Sequence, residues 1–136
     1  MQQSQMIVNR AERLLECTWR PEWAAQAREA AAEFLLDLRS PPPAAIVQIL
    51  LLLVSELVTN GLRHGGGVSA MSLRADRRSI QVIVADPSPA HPQDRTPDLT
   101  GHTGGFGWPM LQRLADSVRV EPQPGWSKAI TAILAR

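Results

Sequence analysis

The chain of 136 residues has one cysteine, Cys17, so it can close no intrachain disulfide, and this lack points to a reducing cytoplasm. The thiol, two residues from Trp19, reads as packing. Charge of one sign is also missing. Lys and Arg number 14 against 13 Asp and Glu, and a net +1 supplies no broad field for nucleic acid or an anionic membrane. The longest apolar run, Ala44 to Val54, is interrupted by Gln48. It is shorter than the roughly 20 residues a bilayer-crossing helix needs. The opening MQQSQMIVNRAERLLECTW has no basic segment followed by an apolar one, so no secretion signal is expected. His64, His91, His102 and Cys17 share no metal-ligand spacing, and a G-x-S-x-G nucleophile elbow is missing. Metal catalysis and elbow-type hydrolysis are therefore set aside.

With 44% hydrophobic and 20% charged residues, the composition is that of a globular protein, and the length suits one domain with one core. No internal repeat is visible. Residues 1–16 are polar with scattered apolar positions, a tail or a short N-terminal element such as a packed helix, and residues 17–136 form the single domain. WAAQAREAAAEFLLDL, 23–38, predicts a helix with Ala27, Ala31, Phe34, Leu35 and Leu38 on one face. Pro41, Pro42 and Pro43 stop it and can start the next. A second helix is expected from Ala44 to His64, ended by Gly65-Gly66-Gly67.

Beyond the glycines, Met71, Leu73 and Ala75 alternate with polar residues, and Ile80 to Ala85 is almost wholly apolar, which predicts an antiparallel hairpin with a central second strand. Pro87 to Gly107 has no periodicity and reads as a long functional loop. A short helix from Trp108 to Ser117 and a closing hairpin, 118–121 and 129–134 around a turn at Gln123–Gly125, complete the order. This pattern is α+β: a two-layer sandwich of a mixed, mainly antiparallel sheet with helices on one face.

Three features carry chemistry. SELVTNGLRH places Glu56, Asn60 and His64 four residues apart, so each step of about 400° leaves them on one slowly drifting stripe of the second helix. Taken alone, such a stripe is as readily a solvated face. Asp86 sits where the apolar strand meets the proline-rich loop, at a sheet edge. A buried acceptor there could take a donor such as an adenine amino group, although a turn-capping aspartate is the plainer reading. Gly104-Gly105-Phe106-Gly107 precedes a short helix, where small residues let backbone amides approach phosphate. By itself this is equally a flexible turn.

Together, in this order and spacing, the three stretches resemble the boxes of the GHKL ATPases, and within them the small bacterial histidine-kinase-like domains related to anti-sigma-factor serine kinases. The resemblance covers roughly Trp19 to Leu134. SELVTNGLRHGGG is similar to the N box, Asp86-Pro-Ser-Pro89 takes the place of the D-x-G-x-G box, and Gly105-Phe-Gly-Trp108 resembles the G-x-G-L box.

The resemblance implies that Glu56 polarises the attacking nucleophile and that Asn60 offers its amide oxygen to Mg²⁺. It implies that Asp86 accepts from the adenine amine of ATP, and that Gly104, Gly105 and Gly107 give backbone access to phosphate. Residues 87–104 would be a lid over the nucleotide. His64 matches a histidine common at that place, for which a helix-end or phosphate-adjacent role is expected rather than catalysis. Arg63 and Arg95 are weighed as phosphate contacts against plain surface solvation.

The chain departs from the pattern at Ser88 and Ala90, which replace glycines, with Pro87 and Pro89 stiffening the backbone. Adenine binding would then be weakened, or would use Ser88 through its hydroxyl. Gly61 stands where alanine is usual, and Trp108 where leucine is. The implied function is a cytoplasmic Mg-ATP-dependent protein serine/threonine kinase acting on an anti-anti-sigma partner of STAS type and holding a sigma factor, with no direct nucleic acid or membrane. An exposed sheet edge or the first helix could support a homodimer. The competing reading is a binding module that keeps the fold and works by protein contact. No residues are left over for a dimerising helix pair with a phosphoacceptor histidine, so the domain is expected to stand alone.

Overall fold

The computed structural model describes residues 5–9, 14–88, 107–125 and 127–136. Along the chain these form β1 (Gln5–Asn9), β2 (Leu14–Trp19), α1 (Ala24–Leu36), α2 (Ala44–His64), β3 (Ala70–Ala75), β4 (Ser79–Asp86), α3 (Gly107–Leu114), β5 (Ser117–Gln123) and β6 (Ser127–Ala135). The strands make one six-stranded sheet in the order β1-β2-β3-β4-β6-β5. Every pairing among the described residues is antiparallel, so the parallel component that the sequence left open is not found.

The sheet has one inner face because its inward positions are in register. Met71 pairs with Val84 and Val84 with Ile130; Leu73, Val82 and Ala132 make the next row, and Ala75, Ile80 and Leu134 the last. All nine are buried, whereas Ser72, Arg74, Gln81, Ile83, Thr131 and Ile133, between them on the strands, are only half-buried. A strand points alternate side chains to opposite faces, so this pattern fixes which face the helices cover. Ala27, Ala31, Phe34 and Leu35 of α1, Leu50, Leu53, Val54, Leu57 and Val58 of α2, and Leu111 of α3 join the same core. Each large apolar side chain fully buried here contributes about 1.5–3 kcal/mol. α2 is long and apolar enough to cross a bilayer by length and composition, yet it packs against α1, α3, β4 and β6 as a core helix.

Several boundaries differ from the sequence reading. Residues 1–16, read as a tail or short helix, contribute β1 and the first residues of β2, and β2 extends the sheet by pairing with β3 (Cys17 opposite Leu73, Trp19 opposite Met71). α1 stops at Leu36 and α3 at Leu114, each earlier than expected. β5 runs on through Pro122 to Gln123, tolerated because β5 is an edge strand with one side of its ladder unused. Pro109 lies in the first turn of α3, where its missing N–H has no helical partner to lose.

Candidate nucleotide site at the end of the central strand

α2 ends where its backbone is turned by three glycines. The amides of Gly65 and Gly67 both donate to the carbonyl of Gly61, at 2.9 and 3.0 Å, and Gly66 and Gly67 adopt φ of +77° and +118°. Those two values belong to the left-handed region that glycine enters without penalty. Gly65 is glycine for a different reason, since its own φ of −101° is ordinary. A Cβ placed on it would lie 2.5 Å from Asp86 Cγ and 2.7 Å from Asp86 Oδ2. The helix end and the strand-end carboxylate therefore touch, and only a residue without a side chain permits it.

Asp86 is the last residue of β4, at the end of an interior strand rather than at the sheet edge expected of it, and it is buried at 2% exposure. It continues the inward row of Ile80, Val82 and Val84. Its register partner on β6 is Lys128, which is also buried, and Lys128 Nζ donates to Asp86 Oδ1 at 2.8 Å. The same oxygen accepts the Ser88 amide at 2.9 Å, and Nζ also donates to the Ser88 carbonyl at 3.2 Å. The plain reading of Asp86 is found, since Oδ1 closes a turn, and Oδ2 makes no hydrogen bond among the described residues. The Ser88 backbone supplies both the donor and the acceptor of this knot.

Glu56 and Asn60 are half-buried on α2, and His64 at its last residue is exposed. α1 lies on the Ser55 side of α2, where Arg28 donates to the Ser55 hydroxyl at 2.9 Å. Glu56, one residue on, is turned about 100° from that contact. The buried stripe of α2 runs through Leu50, Leu57 and Gly61. Each step from Glu56 to Asn60 to His64 therefore rotates about 40° toward the angular position of that stripe. Partial burial pushes the Glu56 carboxyl above its ordinary range, and the Arg63 guanidinium pulls it back in part. A carboxylate so raised is a better proton acceptor near neutrality.

Asp86 and Ser88 thus stand together at the end of the α2–β4 contact, while Asn60 and Glu56 lie on α2 five and nine residues before Gly65. Gly107 opens α3 as its first residue, while Gly104, Gly105 and Arg95 lie outside the described residues. Lys128 is the residue that sequence reasoning missed. Its signal was period-two alternation: Lys128 shares the parity of Ile130, Ala132 and Leu134, but the strand was begun one residue too late to include it.

Gly61, which departs from the usual alanine, is explained by its surroundings. A Cβ there would meet Val68 Cγ2 at 2.9 Å and the Gly67 carbonyl at 3.4 Å. The helix loses about 1 kcal/mol of propensity and is spared that crowding.

A helix layer on one face of an antiparallel sheet, with the end of the long helix packed against a carboxylate at the end of a central strand, has the architecture of the GHKL-type ATPase domains. The chain matches the family described as the histidine kinase-like ATPase domain over residues 17–133, and it belongs to that family. No curated protein sequence matches it.

Proposed function

We propose that the chain binds Mg-ATP and acts as a regulatory protein serine/threonine kinase of the anti-sigma-factor type, transferring the γ-phosphate to a hydroxyl of an anti-anti-sigma partner. The observation that carries this reading is the close approach of Gly65 and Asp86, which sets a buried carboxylate oxygen, unbonded among the described residues, beside the end of the helix bearing Glu56 and Asn60. In this reading Asp86 Oδ2 accepts from the base. Asn60 supplies one oxygen to the metal, whose remaining ligands would be phosphate and water. Among the described residues no cluster of three or more His, Cys, Asp or Glu could hold an ion alone.

Glu56 takes the proton of the partner's hydroxyl as that oxygen bonds to the γ-phosphorus and the β–γ bridging bond breaks, releasing ADP. The metal, when bound, neutralises charge on the phosphates. The partner would be a STAS-type protein met in the cytoplasm, with a sigma factor held by the same domain. A homodimer through a sheet edge or α1 fits the same scheme.

The test has two stages. Calorimetric titration with Mg-ATP should show saturable binding that Asn60→Ala abolishes, and incubation with γ-labelled ATP and a STAS-type partner should label the partner. Glu56→Ala should retain binding and lose transfer. Transfer that survives Glu56→Ala would overturn the catalytic assignment.

A second reading, a nucleotide-independent binding module, is favoured by one observation: Asp86 Oδ1 is already filled by Lys128 and Ser88. Absence of binding by the folded wild-type chain at millimolar Mg-ATP would select it.

A further inference from the structure

Lys128 has no place in the scheme above, yet it is buried at 5% exposure with its ammonium on the carboxylate assigned to the base. Isolated buried charges are costly, so the pairing itself needs no special account. What the pair leaves open is more informative. Asp86 uses Oδ1 for two donors, and Oδ2 has none among the described residues. An ammonium has three N–H groups; two go to Asp86 Oδ1 and the Ser88 carbonyl, and the third has no acceptor among the described residues. One acceptor and one donor of the same buried pair are thus left unused among the described residues.

A lone carboxylate is acceptor only. It suits the amino group of adenine and opposes the carbonyl oxygen that guanine and hypoxanthine carry at the same ring position. An acceptor beside a donor fits either edge. Adenine offers a donor at its amino group and an acceptor at N1, while a 6-oxopurine offers an acceptor at O6 and a donor at N1.

We infer that Lys128 is a base-reading residue, and that the Asp86–Lys128 pair makes this site accept 6-oxopurine nucleotides as well as adenine ones. The inference rests on the nucleotide reading of the site. It adds a specificity that Asp86 alone would not have.

The measurement is calorimetric titration of the full chain with Mg-ATP and Mg-ITP, backed by thermal shift. Wild type should bind ITP within about tenfold of ATP. Lys128→Met leaves a 6-oxo group facing an unrelieved carboxylate, so its ITP affinity should fall relative to ATP by a further 10- to 100-fold, the usual effect of a polar group left unpaired. Lys128→Arg keeps a donor and should hold the wild-type ratio.

Wild type that binds ATP and rejects ITP by more than 100-fold overturns the inference and leaves the nucleotide reading standing, as does an unchanged ratio in Lys128→Met. Failure of folded wild type to bind either nucleotide overturns both. The wild-type ratio is decisive by itself if Lys128→Met does not fold.

Discussion

Replacing Gly65 with alanine probes the contact on which the site depends. The added methyl would lie 2.5, 2.7 and 2.8 Å from Asp86 Cγ, Oδ2 and Cβ, well inside contact distance. Relief by small shifts of α2 and β4 costs about 1–3 kcal/mol, the usual range for forcing a methyl into a packed place. Relief by swinging the carboxylate away would part it from Lys128, and losing one partner of a buried pair costs about 3–5 kcal/mol. The cheaper route wins, with some of the second cost mixed in, so we expect a loss of about 3 kcal/mol.

For a chain of this length each kcal/mol shifts Tm by roughly 3–5 °C, so the fall should be on the order of 10 °C. Urea unfolding with an unchanged m-value gives the free energy directly. Asp86→Gly removes all three crowded atoms, so Gly65→Ala should cost much less in that background than in wild type. A loss under about 0.5 kcal/mol, or equal costs in the two backgrounds, would refute the contact.

Other outcomes follow from the same geometry. Gly61→Ala should be within about 1 kcal/mol of wild type, because the helix gain and the crowding of Val68 oppose each other; a stabilisation well above that would show that Val68 yields freely. Asp76 Oδ1 accepts the amides of Arg78 and Ser79, both at 2.8 Å, and these bonds hold its carboxyl below the ordinary range. Its stabilisation is therefore present above about pH 3.9 and lost as pH falls through the lower folded value. Asp76→Ala should cost about 1–2 kcal/mol at neutral pH, with the gap to wild type closing in acid denaturation series. The Glu56 carboxyl is shifted the other way by burial, so its charge is a liability that is absent below about pH 4.3 and complete above the raised folded value. Glu56→Gln should gain stability on wild type as pH rises through that window; a gap that narrows there would refute the assignment.

What could be read from the sequence was what local chemistry decides. α2 was legible to the residue because Pro43 opens it and three glycines close it. The β3–β4 hairpin was legible because Met71, Leu73 and Ala75 alternate with polar residues and the second strand is almost wholly apolar. Asp86 was visible as the polar residue ending an apolar strand. Residues 1–16 were not, since β1 is short and polar-flanked, and β2 earns its place only by pairing with β3, some fifty residues further on. Lys128 was hidden by the same kind of distance: its meaning lies in a partner 42 residues earlier. The box order singled out Glu56 and Asn60 on α2, but not the reason for Gly61, which depends on Val68 folding back over the helix end.

The strand order also dictates when the molecule can become competent. β3, β4 and the two long helices are neighbours in sequence and can assemble from short-range contacts, but β6 must cross past α3 and β5 to lie between β4 and β5. Closing that excursion costs entropy before any ladder bond repays it, which makes the insertion of β6 the expected slow step. Until it happens, Val82, Val84 and Asp86 lack their neighbours on one side, and the carboxylate has no ammonium. A molecule in which β6 has not yet inserted therefore has the helix and the aspartate but not the ammonium, so the Asp86–Lys128 pair forms only when β6 docks between β4 and β5.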